Sequence, residues 1–167
     1  DKGARARAQR FDTVEKIAAL AKQHDVEAVV VAGDVFDSNA VGPDLIQQAR
    51  DVFAKFECPV LLLPGNHDFY EPLCALQRLV DGQNQLSNIQ VLSTTDEITI
   101  GTTTYYPCPL LQRHTYDDPT RHLPNRQPGD QSVRVVIAHG GVHGFENDNT
   151  ELANLINADR VLAKGMD

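Results

Sequence analysis

Three short polar clusters carry the residue types that hold metal ions and move protons: Gly33-Asp34-Val35-Phe36-Asp37, Gly65-Asn66-His67-Asp68 and His139-Gly140-Gly141-Val142-His143. Each follows an apolar, mostly β-branched or leucine-rich run, so each is expected at the carboxyl end of a strand, where α/β sheets gather functional groups. A carboxylate placed there can bridge two divalent cations, an amide oxygen adds a neutral ligand, and imidazole suits Mn, Fe or Zn in a mixed oxygen and nitrogen set. Two cations held about 3.5–4 Å apart clamp a phosphate and generate hydroxide from bound water. Glycine beside each cluster permits tight turns that aim the side chains inward. Taken singly, each cluster has a plainer reading, since Asp after Gly can cap a helix and a loop histidine can be satisfied by solvent. Recurrence at three strand ends is what points to metal-assisted chemistry.

The elements that must position these clusters follow from periodicity. From Thr13 to His24, Val14, Ile17, Ala18 and Ala21 recur at helical spacing, with Asp12 as N-cap or with an earlier start through Ala4 to Arg10. The runs Ala28 to Ala32 and Val60 to Leu63 are short and continuous, which predicts strands buried on both faces. Between and after them, helices are expected over Asp44 to Phe56 and over Leu73 to Val80. A strand over Ile89 to Leu92 and a hairpin of Glu97 to Ile100 with Thr102 to Tyr106 around Gly101 come next. Pro107 to Gln131 reads as a long proline-rich loop over the surface, Val133 to Ala138 as a further buried strand, and Glu151 to Leu162 as a closing helix. This order of strands and helices predicts an α/β layered sheet.

A length of 167 residues suits one domain spanning residues 1–167, and 41% hydrophobic residues exclude a disordered chain. Fifteen Lys and Arg against 23 Asp and Glu give a net charge of −8, so nucleic acid is not bound by bulk charge and any such contact is local. No apolar run is long enough to span a membrane, and the expected location is cytoplasmic and soluble. Cys58, Cys74 and Cys108 form no CxxC pair and are expected as small buried residues. Arg5, Arg7 and Arg10 form one basic group and Arg113, His114, Arg121, His122 and Arg126 another; each could meet phosphates or lie on a solvated surface. Tyr105 and Tyr106 could stack a base, although strand positions favour packing. The first residue is Asp1, and the chain stops after Lys164-Gly165-Met166 in mid-pattern, so a piece of a longer protein is expected.

Gly33-Asp34-Val35-Phe36-Asp37, Gly65-Asn66-His67-Asp68 and the strand-terminal His139 together resemble the calcineurin-like metallophosphoesterases, over about Phe11 to Asp167. The helix before the first motif, the aromatic Phe36 inside it and the segment Tyr106-Pro107-Cys108-Pro109-Leu110 are most similar to nuclease subunits of the SbcCD type. The resemblance implies the central portion of a four-layer α-β-β-α sandwich holding two divalent metals, Mn first, with Mg, Fe or Zn as alternatives. It implies that Asp34 bridges both metals and that Asn66 and His139 bind the second. His67 is implied to stand beside the phosphate and protonate the leaving oxygen, with Asp37 accepting its other N–H. Phe69, Tyr70 and His143 are candidates for substrate contact, and Asp68 is placed in structure, as a cap on the following helix.

The implied activity is phosphodiester hydrolysis at DNA ends in repair, exonucleolytic on duplexes and endonucleolytic on single strands. An SbcC-type ATPase is the implied partner, with a homodimer possible and no membrane involved. The alternatives are a phosphodiesterase on a small substrate such as a cyclic nucleotide, and a non-catalytic scaffold of the same fold. The sequence departs from the family in having neither an Asp-x-His before the first helix nor a terminal Gly-His-x-His, and both motifs are expected on flanks beyond it.

Overall fold

A computed structural model describes residues 2–81, 86–143 and 153–167, with residues 2–8 described by backbone alone. The alternating Ala and Arg residues have high helix propensity and carry α1 over Lys2–Gln23, so Asp12 lies inside the helix and not at its N-cap. Phe11, Val14, Ala18 and Ala21 face the core, whereas Ile17, expected in the same stripe, is largely exposed. Pro43 opens α2 (Pro43–Phe53), its fixed φ suiting the first helical turn, and α2 stops three residues before the expected Phe56. The ring of Phe56 still packs in the core, 6.0 Å from that of Phe53. The third helix, α3 (Ala75–Val80), starts later than expected because Leu73 sits at φ 62 and Cys74 becomes the cap, its Sγ accepting the Gln77 N–H.

β1 (Val29–Ala32), β2 (Val60–Leu63) and β3 (Ile89–Val91) form one parallel sheet in the order β1-β2-β3. β2 is central and buried throughout, as its sequence predicts. Val60 and Leu62 join the cluster formed with the helices, while Leu61 and Leu63 join Tyr105 and Ile137 of the second sheet. Full burial of such side chains is worth about 1.5–3 kcal/mol each, so β2 is a main fastener between these two clusters. β1 departs from the expected double burial. It is the edge of its sheet among the described residues; Val29 and Val31 pack on the helical cluster, whereas Val30 is exposed.

The second sheet contains β4 (Ile98–Ile100), β5 (Thr103–Cys108) and β6 (Val133–Ala138). The expected hairpin forms around Gly101, and β5 continues through Pro107 and Cys108 because its parallel pairing with β6 extends to Cys108 opposite Ala138. Tyr105 and Tyr106 are buried, so these rings pack and do not stack on a base. β6 is only partly buried, with Val133 exposed. Residues 109–132 contain no helix or strand, yet this segment is more than a surface covering: Leu110, Thr120 and Leu123 are buried. The closing helix is corrected to a short strand pair, β7 (Gly141–Val142) with β8 (Leu155–Ile156), followed by α4 (Ala158–Ala163); Glu151 lies outside the described residues. Asn157 caps α4 by accepting the Arg160 N–H, which sets the start of the helix. Among the described residues no helix is long and apolar enough to cross a membrane. Burial, reinforced by Asp118, pushes the Cys108 thiol up to about 12, which leaves it an inert core residue.

Arg134 on β6 is 1% exposed and ties distant segments together. It donates to the Tyr106 hydroxyl at 3.1 Å and to the carbonyls of Lys164 and Pro124 at 3.0 Å each, with its guanidinium 4.7 Å from the Tyr106 ring centroid. Removing it leaves buried acceptors without donors, at about 1–3 kcal/mol each. Arg134→Ala is therefore expected to destabilise the fold by about 3 kcal/mol or more, read as a lowered denaturant midpoint, and an unchanged midpoint would contradict these bonds.

Candidate metal centre

The loop after β1 turns sharply, with Gly33 at φ 90 and Asp34 at φ 56, a left-handed conformation that Asp tolerates better than most residues. The Asp34 carboxylate divides its work. Oδ1 accepts the His67 backbone N–H at 3.1 Å, while Oδ2 lies 3.4 Å from Nε2 of His139. His139 follows directly on β6, and its ring is fixed from both sides: Nδ1 lies 2.9 Å from the Ala32 carbonyl oxygen and Nε2 lies 2.9 Å from Oδ1 of Asn66.

This arrangement has a chemical consequence. A carbonyl oxygen only accepts, so Nδ1 carries the proton in the contact with Ala32, and a neutral ring then presents a lone pair at Nε2. That lone pair faces the Asn66 oxygen and Asp34 Oδ2, two further acceptors. With the Asn66 amide oriented oxygen-first, three acceptors meet at one point, an arrangement that a second proton on the ring or a cation satisfies. The donor set, one carboxylate, one amide oxygen and one imidazole, suits a divalent ion such as Mn, Fe or Zn, and the Ala32 carbonyl holds the tautomer such a ligand requires. Among the described residues no group of three His, Cys, Asp or Glu gathers here, so Asp34, Asn66 and His139 fit one cation, and a second would have only Asp34 to share.

Asp68 corrects an expectation. It does not cap α3, whose N-cap is Cys74. Fully buried, its carboxylate accepts the backbone N–H groups of Gly65 at 2.8 Å, Phe36 at 3.1 Å and Asp34 at 3.2 Å. It thereby welds the loops that carry Asp34 and Asn66 to each other, satisfying donors that a tight turn would otherwise leave orphaned. Asn39 adds a second weld, donating to the Phe69 carbonyl at 2.9 Å and accepting the Ala75 N–H at 3.0 Å. Neither role has a pattern in the sequence, because both depend on loops from different strands meeting.

Glycine is required at two of these turns. A Cβ on Gly33 would fall 2.2 Å from His139 Nδ1, and one on Gly65 would fall 2.3 Å from Asp34 Oδ1. Gly33→Ala is expected to displace the His139 ring and lower the affinity for manganese at least tenfold, the scale of a disturbed outer-shell contact. Wild-type affinity in that variant would contradict the packing described.

His67 stands beside the three converging groups without joining them. Its Nδ1 is 3.0 Å from the main-chain oxygen of Asp37, not from the Asp37 carboxylate as expected. The carboxylate points into solvent and meets Arg10 at 3.3 Å. The reason is geometric: the turn through Asp37 directs its carbonyl at the histidine and its side chain away. Asp37 thus orients His67 through the backbone.

A cleft of about 460 Å³ is lined by Ala32, Asn66, His139, Gly140, Gly141 and Asn154, among others. Of the candidate contacts, Phe69 is half-buried beside the second loop. Tyr70 packs against the helical core and lines a separate hollow with Gln90 and Val91. His143 lies past β7, its N–H donated to the Ile156 carbonyl, and does not line the cleft. Asn154, which the sequence did not mark, is on the cleft wall and buried. The basic groups disperse. The side chains of Arg5 and Arg7 lie outside those described, Arg10 pairs with Asp37, Arg121 pairs with Asp117 at 2.8 Å, and Arg126 is committed to backbone carbonyls and Asp167.

The family model described as calcineurin-like phosphoesterase matches residues 6–164. Among curated relatives, a glycerophosphodiester phosphodiesterase GpdQ of Enterobacter lignolyticus (strain SCF1) is 39% identical over 70 residues, which cover 38% of this chain and 24% of that protein. The aligned part thus spans about a quarter of that relative. A match running nearly end to end, over the very loops that bring Asp34, Asn66 and His139 together, shows that the chain belongs to the calcineurin-like phosphoesterases.

Proposed function

We propose that this chain carries the core of a metal-dependent phosphodiester hydrolase, in which Asp34, Asn66 and His139 hold a divalent ion, manganese first, and His67 is the proton donor. The observation that supports this most is the convergence of two oxygens on Nε2 of His139, that of Asn66 at 2.9 Å and Oδ2 of Asp34 at 3.4 Å. A bound divalent ion supplies Lewis acidity toward a phosphoryl oxygen and toward the attacking water. The protein's own residues do the rest. Asp34 aligns the two loops by holding the His67 N–H with one oxygen while offering the other to the centre. The Asp37 carbonyl keeps a proton on Nδ1 of His67, so Nε2 is the nitrogen that exchanges protons with the departing oxygen. Asp68 keeps the loops from relaxing apart. The two clusters on the opposite faces of β2 fit the α-β-β-α sandwich of the family, and a second metal would draw on ligands outside the described residues.

For the substrate, a small phosphodiester is the reading that the glycerophosphodiesterase relative supports. A second reading, hydrolysis of DNA ends with an SbcC-type ATPase as partner and a homodimeric arrangement, is favoured by the resemblance carried by Tyr106-Pro107-Cys108-Pro109-Leu110. The complete protein should be assayed with manganese on a small chromogenic diester and on an end-labelled DNA duplex, each with a chelator control. Cleavage of the diester alone assigns a small substrate. Cleavage of both assigns DNA, and cleavage of neither overturns the proposal.

A further inference from the structure

We infer that the loop 111–116 is a strand-binding platform at the rim of the metal cleft, on which Tyr116 stacks a base and Arg113 meets a phosphate of single-stranded nucleic acid. This rests on the second of the two substrate readings, nucleic acid, and extends it to the part of a substrate beyond the reacting phosphate.

Position is the first support. Asn154 lines the cleft together with Asn66 and His139, and it grips the loop on either side of His114. Its amide nitrogen donates to the Arg113 carbonyl at 2.9 Å, its amide oxygen accepts the Thr115 N–H at 2.8 Å, and its own N–H is donated to the Thr115 carbonyl at 2.6 Å. The side chain thus imitates a paired strand, and the buried Asn154 adopts φ 56 to do so. The loop is held at the cleft wall, where a strand leaving the metal centre would pass.

Chemistry is the second. Tyr116 is 87% exposed, the most exposed of the large hydrophobic side chains among the described residues, so its ring face is open to a flat partner. The neighbouring charges are already matched: Arg121 pairs with Asp117 at 2.8 Å and Arg160 with Asp118 at 3.3 Å. The guanidinium of Arg113 is exposed and has no ion pair among the described residues, on a chain of net charge −8. An open aromatic face and an exposed cation three positions apart suit a polynucleotide, which offers bases and phosphates in turn. The overall acidity means that binding is local and sensitive to salt.

The test is anisotropy of a labelled single-stranded oligodeoxynucleotide titrated with the full chain, with a chelator present to prevent cleavage. Tyr116→Ala should weaken binding roughly tenfold, the scale of one lost stack, and Tyr116→Phe should retain it. Arg113→Gln should weaken binding and reduce the salt slope by about one. Wild-type binding in both Tyr116→Ala and Arg113→Gln, or no binding by the unmodified chain, overturns the platform. Hydrolysis of the small diester by the unmodified protein is measured alongside. Hydrolysis combined with indifferent variants removes the platform alone. Binding that depends on Tyr116, without any hydrolysis, supports the platform and removes the phosphodiester reading.

Discussion

His67→Ala is expected to lower phosphodiester turnover by roughly 100-fold or more, the scale of a lost general acid, while manganese binding stays as in the wild type. The separation is built into the contacts. What holds Asp34 is the backbone N–H of His67, at 3.1 Å, and alanine keeps that group. Only the ring is lost, with its Nδ1 contact to the Asp37 carbonyl. A proton donor matters most when the departing oxygen is basic. The defect should therefore be severe on an alkyl diester and small on a diester that releases a nitrophenolate. Steady-state rates on the two substrates, with calorimetry of manganese binding, check this. Equal defects on both, or loss of manganese, would show that His67 acts otherwise.

Asp34→Ala should have the larger effect, abolishing both metal binding and hydrolysis. It removes the carboxylate oxygen at the centre and also the acceptor that fixes the His67 loop. In the wild type, manganese bound to the folded state alone raises the melting temperature by mass action. In the variant that rise should vanish. Asp34→Gly separates ligand from backbone. Because residue 34 sits at φ 56, glycine relieves the left-handed strain and should leave the metal-free protein no less stable, while still eliminating the manganese effect. Full activity in either variant would contradict the site as described.

How much of this was legible in the residues depends on the range of the interactions involved. β2 and the hairpin around Gly101 follow from local patterning alone, since an unbroken apolar run and a glycine at φ 58 leave few options. Likewise Asp34, Asn66 and His139 each follow a strand in sequence, and the parallel pairing of β1 with β2 and the contact of β1 with β6 bring those ends to one place. The departures are non-local. Exposure of Val30 depends on β1 being an edge strand, which its own composition cannot report. The Asp37 carbonyl, in place of its carboxylate, is selected by the turn geometry of another loop. Asp68 binds N–H groups from two loops, and Arg134 reaches carbonyls at Pro124 and Lys164; these partners come together only on folding. Asn154 lies on the cleft wall because β8 pairs with β7, a two-residue contact too short to leave a periodic signal.

The most direct test of the central claim is calorimetric titration of manganese into metal-stripped wild-type protein and into His139→Ala. The account predicts saturable binding in the wild type that is lost when the imidazole is removed, because Nε2 is the point on which the Asp34 and Asn66 oxygens converge. Undiminished binding to His139→Ala, or no binding by the wild type, would contradict it.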